Sequence, residues 1–259
     1  MLWYRIKTVL IFLFAAINIF LAVMLGIDAF SKAGATRERV DKAVDILEQN
    51  GISVSAKVPY KTQRMGTLTL KNPKADPNAF AERLLGGPAM RLGKEWRREG
   101  KTVTFPEQGF SYVSKTEAVP AEKKSIRAMK TALENMGFSM EHAKATVEND
   151  TVRFVQEIYG LPLFQYGITV WPAADGTVAR MEGMWAKIIE VDKERSSVRE
   201  ASHSLLAFLQ EMEGRNTVIT DMGLGYAVFL EEEGYHTADA VPVWKVETED
   251  GGVWYYDAR

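Results

Sequence analysis

Apolar residues are distributed along this chain in three patterns, and each predicts a different kind of element. The first is unbroken: Thr8 to Ile27 reads TVLIFLFAAINIFLAVMLGI, twenty residues without a charge. The second returns every three or four residues, as Val40, Ala43, Val44 and Leu47 do between Thr36 and Asn50. That spacing lines one face of a helix, and Asn50-Gly51 supplies its stop. The third alternates apolar with polar residues, which lays one apolar face on a pleated strand.

Applied downstream, these patterns give an ordered set of elements. Ile52–Val58 alternates until Pro59, and Gly66–Lys71 reads as a short strand. Asp76-Pro77 opens a helix that turns Phe80, Leu84 and Leu85 inward and ends at Gly86-Gly87. The basic patch from Arg91 to Arg98 reads as a solvated helix or loop face, and Thr102–Phe105 with Phe110–Ser114 as a hairpin. A helix over Ala121–Asn135 carries Ile126, Met129, Lys130 and Leu133 on one stripe. Strands follow at Val152–Tyr159, Phe164–Trp171 and Val178–Ile189, with the Asp175-Gly176 turn before the last. The series then restarts. A helix over Ser197–Glu213 buries Val198, Ala201, Leu205, Phe208, Leu209 and Met212. Strands at Met222–Glu232, Val243–Thr248 and Val253–Tyr256 follow, the last two joined at Asp250-Gly251-Gly252.

Helix-strand-strand-strand therefore occurs twice in succession. Pro162 and Pro242 each open the penultimate strand of a series, where a missing donor is tolerated. Strands in runs predict an α+β fold with two repeated α-β-β-β antiparallel-sheet units, not a doubly wound one. The expected organisation is a tip at 1–7, a transmembrane helix at 8–27 and an extracytoplasmic domain. That domain comprises an N-terminal part at 28–119 and α-β-β-β units at 120–195 and 196–259.

Twenty helical residues rise about 30 Å, the thickness of a bilayer's hydrocarbon core. Arg5 and Lys7 close one end, Asp28 and Lys32 the other, and Trp3 and Tyr4 sit at the level of an interfacial aromatic belt. A cleaved signal peptide is the rival reading, since Ala33-Gly34-Ala35 has the small-x-small form of a cleavage site. The length of the apolar run and Lys32 beside that site favour an uncleaved anchor. Long domains cross the membrane largely regardless of charge, so the N-terminus is expected in the cytoplasm and the rest outside the cell membrane. The absence of cysteine from the chain agrees with that placement.

Composition narrows the function classes. Apolar residues are 46% of the chain, charged residues 25%, and the net charge is −2, which is globular and not a basic nucleic-acid-binding surface. His142, His203 and His236 lie far apart, with no H-E-x-x-H pair, no G-x-S-x-G elbow and no cysteine nucleophile. Gly223-Leu-Gly225 lacks the third glycine and following helix of a dinucleotide loop, and Glu231-Glu232-Glu233 reads as a solvated hairpin end. No catalytic, metal-binding or cofactor-binding residue is predicted. Aromatic residues crowd the two α-β-β-β units: Phe164, Tyr166, Trp171, Trp185, Trp244, Trp254, Tyr255 and Tyr256. Most belong in a sheet core, while Trp171, Trp185, Trp254 and Tyr256 are the candidates for a partner surface.

The apolar run has a face of its own. Ala15, Asn18, Ala22, Gly26 and Ala29 fall on an arc roughly 80° wide at 100° per residue. Small residues let helix backbones approach closely and an Asn can hydrogen-bond across the contact, so these five form the predicted transmembrane partner face.

The run from Arg5 through Ile17-Asn-Ile-Phe-Leu21, the segment from Phe154-Val-Gln-Glu-Ile-Tyr-Gly160 to Gly183, and the closing Pro242-Val-Trp244, Asp250-Gly251 and Tyr255-Tyr256 carry a resemblance. The chain resembles the YycI branch of the YycH/YycI regulatory proteins of Gram-positive bacteria. The resemblance implies a non-enzymatic, membrane-anchored regulator without a cofactor. Its partners would be a sensor histidine kinase that governs cell-wall metabolism, met through transmembrane contacts, and a YycH-like protein outside. The α-β-β-β units are also similar to small PepSY-type domains, which implies the alternative of an anchored inhibitor or binding module for an extracellular protease or cell-wall component.

Overall fold

The structure, a computed structural model, describes residues 14, 17–21, 34–71, 75–106, 109–121, 125–212, 214–229 and 237–259. Residues 34–49 form helix α1, which buries Val40, Ala43 and Leu47. It stops at Gly51, whose φ of +84° glycine adopts without strain and where any Cβ would collide with the Asn216 side chain. Short strands β1 (Ile52–Val54), β2 (Arg64–Met65) and β3 (Leu68–Lys71) follow. Helix α2 (Pro77–Leu85) starts where the Asp76 carboxylate accepts from the Ala79 N–H at 3.0 Å and Pro77 gives up no needed donor.

Strands β4 (Met90–Leu92), β5 (Glu95–Arg98), β6 (Lys101–Thr104) and β7 (Phe110–Val113) form an antiparallel meander. Helix α3 (Ile126–Asn135) then buries Met129 and Leu133. It is followed by β8 (Ala143–Glu148), β9 (Thr151–Ile158), β10 (Leu161–Pro172), β11 (Val178–Met184), β12 (Lys187–Val191) and β13 (Ser196–Ser197). Helix α4 (Ala201–Glu211) precedes the long strands β14 (Thr217–Val228) and β15 (Thr237–Thr248) and the closing β16 (Val253–Asp257).

These elements form two compact units. The smaller takes the described residues up to Gln63, Arg199–Met222 and Val246–Trp254; the larger takes Arg64–Val198, Gly223–Lys245 and Tyr255–Arg259. In the smaller unit β1 runs parallel to the start of β14, with Ile52 opposite Thr217 and Val54 opposite Ile219. Ile52, Leu205, Phe208, Ile219 and Val246 are buried there, and the Trp254 ring meets Phe208 edge-on at 5.2 Å.

In the larger unit the strand order is β12-β3-β15-β14-β10-β11-β7-β6-β5-β4, with β9 also on β10 and β8 on β9. Phe80, Phe110 and Phe138 centre its main core, with ring centroids 5.1 to 6.4 Å apart, and Leu84, Leu133, Ile168 and Met181 belong to the same cluster. A second cluster gathers Ala227, Val241 and Val243, with Phe164 and Tyr255 against it. Two buried or half-buried glutamines pair with backbone in place of a strand. Gln156 holds both the N–H and the C=O of Ala186, and Gln165 does the same for Val228.

The protein is thus a mixed α+β fold, mostly strands in a large sheet, but several expectations need correction. The sheet is not wholly antiparallel, because β1 and β10 each meet β14 in parallel. The patch Arg91–Arg98 is a hairpin, β4 and β5, in which Trp96 turns inward and Arg91 lies over its ring at 5.0 Å. Strand β8 was not expected: its alanines and charges show no alternation, and as an edge strand it leaves most of its residues exposed. The single strand expected at Val178–Ile189 breaks at Trp185-Ala186, where Gln156 satisfies the backbone. Pro242 lies inside β15 instead of opening it. Pairing with β3 ends at Ala240, and the Pro242 carbonyl accepts from the Ala258 N–H, so the proline falls where one edge partner gives way to another.

Of the predicted span Thr8–Ile27, only Phe14 and Ile17–Leu21 are described, as exposed helix. Among the described residues no helix is long and apolar enough to cross a membrane. The triplet Glu231-Glu232-Glu233 and His236 lie outside the described residues.

Gly183 offers a direct test of the close pairing of β10 with β11. Its φ is +138°, and a Cβ there would lie 2.1 Å from the Gly167 carbonyl oxygen. Gly183→Ala is expected to destabilise the protein by more than about 2 kcal/mol. Gly176→Ala, at φ +84° with open space around the Cβ, should cost about 1 kcal/mol. Urea unfolding midpoints in that order, wild type above Gly176→Ala above Gly183→Ala, are the check.

Candidate functional site

The described chain next to the predicted anchor is α1, so how α1 is held decides what an anchor could transmit. Its apolar stripe accounts for burial, but its first turn is fixed by charge. Glu200 precedes α4 in extended conformation and makes no side-chain cap with that helix. Its carboxylate instead reaches α1. Arg39 donates Nε to Oε2 at 2.7 Å and Nη2 to Oε1 at 2.5 Å, and the Thr36 hydroxyl donates to Oε1 at 3.0 Å. Two parallel N–H donors on one carboxylate give a directional clamp, stronger than a point contact. The hydrogen bond from Arg39 holds the Glu200 carboxyl below its ordinary range, against the opposing effect of burial, and Glu200 in turn raises Arg39. The pairs Glu38–Lys42 and Arg37–Asp41 lie along α1 itself and are solvent-exposed, so they add little.

Asn18, the polar centre of the predicted transmembrane face, donates its amide to the Phe14 carbonyl one turn back, at 2.8 Å. Among the described residues its carbonyl and second N–H make no other hydrogen bond. Ala15, Ala22, Gly26 and Ala29 lie outside the described residues.

The four aromatic candidates are not gathered into one surface. Trp185 is only 6% exposed and meets Phe138 edge-on at 6.1 Å, so it is core and is withdrawn as a partner residue. Trp171 is half-buried beneath the Arg180 guanidinium, 4.6 Å from its ring. Trp254 is half-buried against Phe208, and Tyr256 is half-buried on the same strand. Trp244 and Tyr166 are buried as sheet core.

Among the described residues no group of three His, Cys, Asp or Glu side chains is placed to hold a metal ion. His142 and His203 are both exposed. Gly225, from the Gly-Leu-Gly motif, lies in β14, where a Cβ would meet the Pro162 carbonyl at 2.5 Å. It serves the crossing of β14 and β10, not a nucleotide.

The family model for YycI protein matches residues 31–256. The chain belongs to the YycI family. The matched stretch begins just before α1 and takes in both compact units, while Thr8–Ile27 precedes it. No curated protein matches the sequence. A solved structure described as that of an uncharacterized protein from Eubacterium rectale ATCC 33656 is similar over 81% of this chain and 89% of its own, at 13% identity and a TM-score of 0.42.

Sequence reasoning missed the clamp altogether. Arg39 and Glu200 stand 161 positions apart, and neither sits in a motif that would pair them. The pH dependence follows from the lowered carboxyl. A group whose folded pKa is depressed adds stability that is fully present above its ordinary value, here 4.5, and lost as pH falls through the folded value. Hydrogen-exchange protection across residues 36–48, corrected for intrinsic rates, should therefore fall as the solution is taken below the carboxylate range. Glu200→Gln should lower that protection at neutral pH and remove this acid-dependent part.

Proposed function

We propose that this protein is a membrane-anchored, non-enzymatic regulator of a sensor histidine kinase that controls cell-wall metabolism. Membership of the YycI family over residues 31–256 carries this reading. Thr8–Ile27 is the single membrane-spanning anchor, with the N-terminus in the cytoplasm and the two compact units outside. Ala15, Asn18, Ala22, Gly26 and Ala29 face the kinase's transmembrane helices, and the outer part associates with a YycH-like protein.

The geometry of α1 supports the mechanical side of the proposal. A helix that leaves the membrane transmits movement only if it is fixed to what it moves. α1 is fixed twice, by Val40, Ala43 and Leu47 in the interior and by the Arg39–Glu200 fork at its first turn. A displacement that reaches α1 is then shared by the whole smaller unit.

Replacing Thr8–Ile27 by an unrelated apolar helix of equal length should change the output of a kinase-dependent reporter while the outer part stays folded. Asn18→Leu and Gly26→Leu should reduce crosslinking to the kinase by several-fold without reducing membrane insertion. Unchanged output and unchanged crosslinking would count against the proposal.

A further inference from the structure

Strand β8 ends one branch of the large sheet. Among the described residues it pairs with β9 alone, in a register unbroken from Ala143–Gln156 to Glu148–Thr151. Sheet edges are commonly blunted by shortness, a bulge or a proline. β4 is three residues long, and β12 carries a register shift between Ile188 and Glu190. β8 has six residues, no shift and no proline.

Backbone geometry fixes what this edge offers. In an antiparallel ladder alternate residues direct their N–H and C=O to one neighbour and the rest direct theirs away. The His142 carbonyl accepts from the Glu157 N–H at 3.1 Å, so residues 142, 144, 146 and 148 face β9. Ala143, Ala145 and Val147 face outward. Ala143 is already answered: its N–H donates to the Met140 carbonyl at 3.2 Å, and its carbonyl accepts from Lys130 Nζ at 2.6 Å. Ala145 and Val147 therefore hold the open edge.

The side chains select what fits there. A second copy of β8, antiparallel about a twofold axis, can set Ala145 opposite the second copy's Val147 and Val147 opposite its Ala145. That register answers the N–H and C=O of both residues in both copies. It also brings Thr146 onto the axis, facing itself, and sets Lys144 opposite the second copy's Glu148 on each side of it. All three side chains are exposed, and Thr–Thr and Lys–Glu are favourable cross-strand pairs. Val147, 42% exposed, gains cover from Ala145, which packs against the main core. Sliding one copy by two residues loses this match. In one direction Val147 meets the spent groups of Ala143, and in the other Ala145 meets Asn149 in the turn beyond the strand.

We propose that β8 is a self-association edge, joining two copies of this chain into one antiparallel sheet with Thr146 on the twofold axis. Neither the anchor nor a kinase enters this pairing, since β8 and α3 lie in the larger unit.

The chain has no cysteine, so introduced thiols report on the pairing without background. Facing Cα atoms in a non-hydrogen-bonded antiparallel pair lie about 4.5 Å apart, within disulfide reach. In membranes of cells expressing the full chain, Thr146→Cys should give a disulfide-linked dimer on mild oxidation, read on a non-reducing gel. Lys144→Cys and Glu148→Cys should each stay monomeric alone, about 13 Å from their own copies, and link to one another when co-expressed. Adding Lys144→Glu or Glu148→Lys to Thr146→Cys should slow linking about tenfold, because two attractive pairs become repulsive. The two charge changes together should restore it, and unchanged melting temperatures exclude unfolding as the cause. No dimer from Thr146→Cys, equal linking from Lys144→Cys alone, or no rescue by the charge exchange would overturn the proposal. A Thr146→Cys thiol that neither links nor reacts with a maleimide would assign the edge to a different partner and overturn it as well.

Discussion

The fold depends on one strand finding partners along both of its edges. β10 is twelve residues long. Its second half pairs with β9 on one side and β11 on the other, while Leu163 near its start meets Tyr226 of β14 in parallel. A buried strand cannot leave N–H and C=O groups unanswered, so each departure from regular pairing must be satisfied separately. The register shift between Pro162 and Gly167 falls beside Gln165, whose side chain exchanges two hydrogen bonds with Val228. Gly167, Gly183 and Gly225 then let backbones come closer than any side chain would allow.

Local chemistry made much of this legible in advance. Asp76-Pro77, Gly51 and Gly86 end or begin helices where their side chains or their lack of one demand it. The Asp175-Gly176 and Asp250-Gly251 turns are closed by the same device, an aspartate oxygen accepting from the N–H two residues on. What was hidden depends on partners distant in sequence. Strand β8 has no apolar alternation because it lies at an edge, and β5 hides a single inward Trp96 among arginines. Parallel pairing of β1 with β14 joins positions more than 160 residues apart, which no local pattern encodes.

The same distinction separates the candidate sites. The stripe Val40, Ala43 and Leu47 shows in the heptad-like spacing of α1, whereas the carboxylate that orients that helix does not. A hydrophobic stripe fixes which face of a helix is inward but tolerates small rotations and slides. The two donors of Arg39 on one carboxylate, with Thr36 beside them, specify rotation as well as height. Burial provides most of the adhesion, and the fork sets the register.

The interleaving of the smaller unit has a consequence for the order in which the protein is made. Its segments come from the start of the described chain and from Arg199–Met222 and Val246–Trp254, with the bulk of the larger unit encoded between. During synthesis α1 emerges early, yet β14, the strand against which β1 pairs, and Glu200, which its Arg39 grips, arrive more than 150 residues later. Until then its apolar stripe has no permanent cover. The larger unit can begin to gather its core in that interval, so α1 is among the last parts to be locked in place. Its first helix is therefore engaged only after most of the chain has been made.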